Sequence, residues 1–107
     1  MRVVVKKRRW LRGEGNDASY LFRPKDRKMC CIGFLAKRLG CSTKEIYGKT
    51  ALDLLSSVPA MTFEAQYSGA LHDAYEINDD EDINDQERTQ RLREIGKAMG
   101  VKFVFSE

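Results

Sequence analysis

Val3-Val4-Val5 and Val101-Lys102-Phe103-Val104-Phe105 are the two stretches whose reading decides the fold. The first is a run of β-branched residues. The second alternates large apolar side chains with a charged one at the period of two that a half-buried strand requires. They lie near opposite ends of the sequence, so pairing them with each other closes the domain, while the pattern leaves the direction of pairing open. Asp17-Ala18-Ser19-Tyr20-Leu21-Phe22-Arg23 reads as a third strand, bounded by Gly13, Gly15 and Asn16 before it and Pro24 after it. The expectation is a small antiparallel or mixed sheet of two to three strands, the N- and C-terminal ones included, packed with three to five helices. That is an α+β fold in a single domain over residues 1–107.

The helices come from the intervening sequence. One is predicted from Arg27 or Lys28 to Leu39, with Cys31, Phe34, Leu35 and Leu39 as the buried stripe and Gly40 as terminator. Gly33 inside it costs about 1 kcal/mol relative to alanine, which implies that another backbone packs close at that point. Ser42-Thr43-Lys44-Glu45 has the spacing of a capping box opening a short helix that ends at Gly48. A further short helix is predicted from Thr50 to Leu55, and a longer one from about Thr62 to Ile77 with Phe63, Tyr67, Ala70, Leu71 and Ala74 on one face. Asn84-Asp85-Gln86-Glu87 repeats the capping-box spacing and introduces a helix to Met99, with Leu92, Ile95 and Met99 inward and Gly100 as stop.

The 107 residues are 42% hydrophobic and 33% charged, a globular composition too short for two cores. No apolar run approaches the ~20 residues that cross a bilayer, and the first residues lack a signal-peptide pattern, so a cytoplasmic protein with no membrane partner is expected. Cys30, Cys31 and Cys41 are odd in number and lack Cys-x-x-Cys spacing, which points to reduced thiols and to no metal and no cofactor. The net charge of +3 hides an asymmetry. Residues 1–50 hold 14 Lys+Arg against 4 Asp+Glu, and residues 51–107 hold 5 against 12. Kept on separate surfaces, these halves give a dipole able to steer association.

Three strings, Arg9-Trp10-Leu11-Arg12-Gly13-Glu14-Gly15, Lys28-Met29-Cys30-Cys31-Ile32-Gly33-Phe34-Leu35 and Ile77-Asn78-Asp79-Asp80, resemble those of a group of small uncharacterised proteins of tailed bacteriophages and prophages. The resemblance covers nearly the whole chain. It implies a bacterial host cell and action by stoichiometric binding to a host or defence complex, with no activity to transfer.

Local motifs supply candidate contacts. Lys6-Lys7-Arg8-Arg9-Trp10-Leu11-Arg12 clusters cations with a tryptophan, the combination that binds phosphates and stacks on bases. Tyr20 is added as an aromatic anchor, and Arg23, Lys25, Arg27 and Lys28 extend the patch. Its bland alternative is a solvated strand end with Trp10 and Leu11 turned into the core. Asp79, Asp80, Glu81 and Asp82 form an acidic loop. Asp80, Asp82 and Asn84 match the first ligands of a calcium loop, but Asp85 stands where the turn glycine belongs and Arg91 where the bidentate glutamate belongs. A carboxylate run of this kind also imitates phosphate spacing and fits a basic groove on a partner. Cys30 and the single histidine, His72, fall on separate helices, and no phosphate-loop, hydrolase-elbow or zinc-protease motif occurs.

The sequence therefore favours a non-enzymatic protein that binds and inhibits a bacterial protein complex, in the manner of an anti-CRISPR or other anti-defence inhibitor. Direct nucleic-acid binding through Lys6 to Arg12 is the alternative, and homo-oligomerisation through opposed charges and sheet edges is the third class.

Overall fold

In a computed structural model, residues 1–53 and 68–107 are described. Strand β1 (Arg2–Lys6) and strand β2 (Lys102–Ser106) pair with each other, and they run parallel, in the register Arg2↔Lys102 to Lys6↔Ser106. The expectation of an antiparallel or mixed sheet is corrected by this pairing. A parallel pair needs a crossover, and everything between the two strands supplies it. Alternation places Val3, Val5 and Phe103 in the core, with Arg2, Val4, Lys6 and Lys102 facing out. The start of the ladder is secured by the Met1 ammonium, which donates to the Gly100 carbonyl at 2.8 Å, and by Lys102 N–H, which donates to Met1 O at 2.7 Å.

Helix α1 (Cys31–Arg38) is the centre of the core. Its first six residues, Cys31 to Ala36, are all buried, so an expected one-sided stripe becomes a helix enclosed all round. It begins later than the sequence suggests because Arg27 takes a positive φ of 61° and Met29 pairs in a bridge with Trp10. The close approach inferred at Gly33 is present. A Cβ there would fall on the carbonyl of Leu21, so only hydrogen fits. Helix α2 (Thr43–Ile46) carries the full capping box, with Glu45 N–H donating to Ser42 Oγ at 3.2 Å and Ser42 N–H to Glu45 Oε1 at 2.9 Å.

Helix α3 (Ser68–Asp79) and helix α4 (Asp85–Ala98) complete the four helices among the described residues. The α3 helix continues two residues past the expected end at Ile77. Its expected start at Thr62, with Phe63 and Tyr67, lies outside the described residues, as do the residues after Asp53 in the predicted Thr50–Leu55 helix, whose beginning is a single 3-10 turn at Ala51–Asp53. Asn84 caps α4 by accepting from Glu87 N–H at 2.8 Å, whereas the Glu87 carboxylate turns outward to Arg91 at 3.0 Å, so only half of the second capping box forms. Leu92 and Met99 are buried and Ile95 packs against them, as the spacing requires.

The third strand is absent. Gly15–Ser19 forms a 3-10 helix, and Tyr20 and Phe22 make only isolated bridges, to Thr50 and Tyr47. Among the described residues no helix is long and apolar enough to cross a membrane.

Candidate functional site: a cationic groove opposed to an acidic cleft

Arg2 and Lys6 project from β1, Arg9 from the 3-10 turn Lys7–Arg9 that follows it, and Lys37 and Arg38 from the last turn of α1. Together with Val4, Met29 and Phe34 they line a groove of about 730 Å³. No acidic residue lines it, and none of the five cations has a carboxylate partner among the described residues. Two of them are held in place by neutral acceptors. Lys37 Nζ donates to Thr43 Oγ1 at 2.7 Å, and Arg38 Nε donates to the Arg2 carbonyl at 3.2 Å, which leaves both charges uncompensated. Clustered cations of this kind maintain a positive potential and can engage a chain of phosphates or carboxylates.

The structure divides the basic residues expected at the site. Lys6 and Arg9 line the groove, Arg8 is exposed, and Lys7 turns toward Glu107 at 3.8 Å. Trp10 is corrected out of the surface. It is 1% exposed, its ring contacts Phe105 at 4.8 Å, and its indole N–H is consumed by Asn78 Oδ1 at 2.8 Å, so it cannot stack on a base. Arg12 lies over the Trp10 ring at 4.7 Å and pairs with Asp85 at 2.8 Å, a structural task that spends its charge. Arg23 is buried between Asp26 and Glu14, and this pairing holds the Asp26 carboxyl down at about 2. Tyr20 is half-buried and lines a separate hollow with Asp17, Arg23, Pro24 and Lys25. Arg2, Lys37 and Arg38 were missed by the sequence reading. They come from segments 35 residues apart, and no local spacing announces their meeting.

The acidic residues gather elsewhere, in a cleft of about 600 Å³ lined by Gly15, Asn16, Ser19, Tyr75, Glu76 and Asp79 to Asp82, with no cation. Asp80, Glu81 and Asp82 are accessible there. Asp79 is corrected: it is 8% exposed, accepts from Ser19 Oγ and from Asn78 Nδ2, and burial pushes its carboxyl up to about 6. The loop owes its shape to buried Arg88, whose guanidinium donates to the carbonyls of Ile77 at 2.9 Å, Asp80 at 2.7 Å and Ile83 at 2.8 Å. A cation is thus placed at the C-terminus of α3, where the helix dipole favours it.

Among the described residues the cysteines and the histidine lie apart. Cys30 and Cys31 are fully buried; burial pushes the Cys30 thiol up to about 12 and Cys31 well above its ordinary value, so neither is a thiolate nucleophile near neutrality. His72 is exposed on α3, where it contacts Glu76 at 3.5 Å and Tyr75. His72, Asp73 and Glu76 bring three potential ligand atoms within 4.8 Å of one another, all on the solvent side.

Asn78 joins the three strings that carry the resemblance. Its Oδ1 accepts from Trp10 Nε1 and from Cys31 N–H, and its Nδ2 donates to Leu11 O at 3.0 Å and Ala18 O at 3.2 Å. The motifs around Trp10, Cys31 and Asn78 therefore meet in one buried network that builds the core. Comparison with family models, curated proteins and solved structures finds no match to this chain.

Proposed function

We propose that this chain is a non-enzymatic binding protein that docks a nucleic acid against its cationic groove. The observation that carries the reading is the group of five cations around one groove, Arg2, Lys6, Arg9, Lys37 and Arg38, with no carboxylate among them. Phosphate chains bind such a surface with release of counterions, so affinity falls with salt at a slope of about −0.9 per phosphate neutralised. Five contacts correspond to a log–log slope of roughly −4.5. A gel-shift titration at 50 and 200 mM salt tests the proposal. Arg2→Glu and Arg38→Glu should each weaken binding and flatten the slope by about 1. No shift at micromolar protein and low salt removes this reading.

A second reading rests on the acidic cleft. Asp80, Glu81 and Asp82 form a carboxylate surface on which a basic groove of a bacterial protein complex can dock, which is the stoichiometric inhibition suggested by the resemblance to phage proteins. Asp80→Asn, Glu81→Gln and Asp82→Asn together would abolish capture of such a complex while leaving nucleic-acid binding intact. The separate basic and acidic surfaces also permit heterologous self-association, and light scattering at low and high salt measures it.

A further inference from the structure

We infer that the nucleic acid is a duplex, read by its phosphates alone, and that the docking surface extends past the groove across both strands to α4. The inference rests on the nucleic-acid reading and specifies its ligand.

The first observation is a second concavity on the far side of the strand pair. It measures about 410 Å³ and is lined by Met1, Arg93, Lys97, Gly100, Val101, Lys102 and Phe103, with no acidic residue among the described residues. Arg2 on β1 and Lys102 on β2 are register partners on the exposed sheet face, so they join the two concavities at the strands' beginning. Arg93, Lys97 and Lys102 raise the number of lining cations from five to eight.

The second observation concerns what the surface lacks. Proteins that hold single strands place aromatic rings under unstacked bases. Here Phe34, Trp10 and Phe103 are buried, and Phe105 is engaged by Trp10 at 4.8 Å and by the Arg93 guanidinium at 5.5 Å. Among the described residues the one aromatic in the set of exposed large hydrophobic side chains, Tyr47, lines neither concavity and stacks on Phe22 at 5.6 Å. Among the described residues the surface thus offers charge and no stacking platform; such a surface gains from phosphates and nothing from bases, which favours the form with the higher phosphate density and with bases already stacked. The duplex has both properties, with one charge per ~1.7 Å of axis.

The test is fluorescence anisotropy with a labelled mixed-sequence duplex of 20 base pairs and with one of its strands alone, at several salt concentrations. Eight contacts correspond to a slope of about −7 and a loss of roughly 10⁴-fold between 50 and 200 mM salt. The duplex should bind more tightly than the single strand, and permuting its sequence should change affinity less than threefold. Lys97→Glu and Lys102→Glu, both exposed, should each flatten the slope by about 1, with unfolding midpoints confirming that the variants fold. Tighter binding of the single strand overturns the duplex assignment. A slope near −4.5 that is indifferent to Lys97→Glu and Lys102→Glu confines the contact to the first groove and overturns the extension. Failure to bind either form refutes the nucleic-acid reading itself.

Discussion

Replacing Asn78 with leucine keeps the branched heavy-atom skeleton of the side chain and removes every polar atom from the centre of the network. Two buried donors then lose their acceptor: the Trp10 indole N–H, held at 2.8 Å, and the Cys31 N–H, held at 3.1 Å at the start of α1. The carbonyls of Leu11 and Ala18 lose their donor as well. An unsatisfied buried polar group costs about 1–3 kcal/mol, so the two donors alone cost about 4 kcal/mol. A domain of this size has a total stability of roughly 5–15 kcal/mol. With a urea m-value of about 1.5 kcal/mol/M, the midpoint should fall by about 2.5 M. Trp10 is the single tryptophan, so its fluorescence reports both the unfolding and the loss of the hydrogen bond in the folded state. If the variant is too unstable to study, Trp10→Phe removes one donor of the pair and should cost less, with unfolding followed by circular dichroism because the fluorophore is gone. A midpoint shift under 0.5 M at unchanged m, for Asn78→Leu, would show that these bonds do not hold the three segments together.

Other outcomes follow from single features. Gly33→Ala should destabilise strongly, by about 3 kcal/mol or more, because the added methyl meets the Leu21 carbonyl in a backbone that cannot yield; a thermal melt measures it. Burial raises the Asp79 carboxyl from its ordinary 3.8 to about 6, so the folded state binds more protons between those values and stability falls as pH rises through that window. That displacement is worth on the order of 3 kcal/mol, and Asp79→Asn should flatten urea midpoints between pH 4 and 6 while raising the one at pH 7. Asp26 has the opposite sign: lowered to about 2 by Arg23, it contributes stability above pH 4 that is lost as pH falls toward 2, and Asp26→Asn should remove that acid limb. A thiol-reactive chromogen should modify Cys30 and Cys31 only at the rate of unfolding, since both are enclosed and protonated.

The parts of this fold that could be read in the sequence are those whose cause is local. The Ser42–Glu45 cap depends on residues three positions apart and the start of β2 on the alternation Val101, Lys102, Phe103, and both are present as read; the tight approach at Gly33 is announced by a glycine inside a helix, although its partner, Leu21, lies twelve positions away. The direction of strand pairing depends on how everything between Lys6 and Lys102 crosses the molecule, which no short window encodes. The segment from Asp17 to Arg23 has strand-forming residues at Tyr20 and Phe22, but tertiary partners overrode them. Arg23 N–H is engaged by Lys28 O, Leu21 N–H by Lys49 O, and no ladder partner lies alongside. At the candidate site the difficulty is the same. Arg8 and Arg12 are neighbours in the sequence with different fates, whereas Arg2 and Arg38 meet only after folding. The tryptophan illustrates the ambiguity best, because stacking on a base and packing on Phe105 require the same ring.

The register Arg2↔Lys102 has a kinetic corollary. Every rung of the ladder joins residues one hundred positions apart, and closing a loop of that length costs about 4 kcal/mol in chain entropy before any contact repays it. During synthesis on a ribosome, β1 emerges first and waits without a partner until residue 106 has cleared the exit tunnel. Its bare edge of three consecutive valines is exposed throughout that interval. The cations that flank it, Arg2 before and Lys6 to Arg9 after, stand where like-charge repulsion disfavours edge-to-edge pairing of nascent copies.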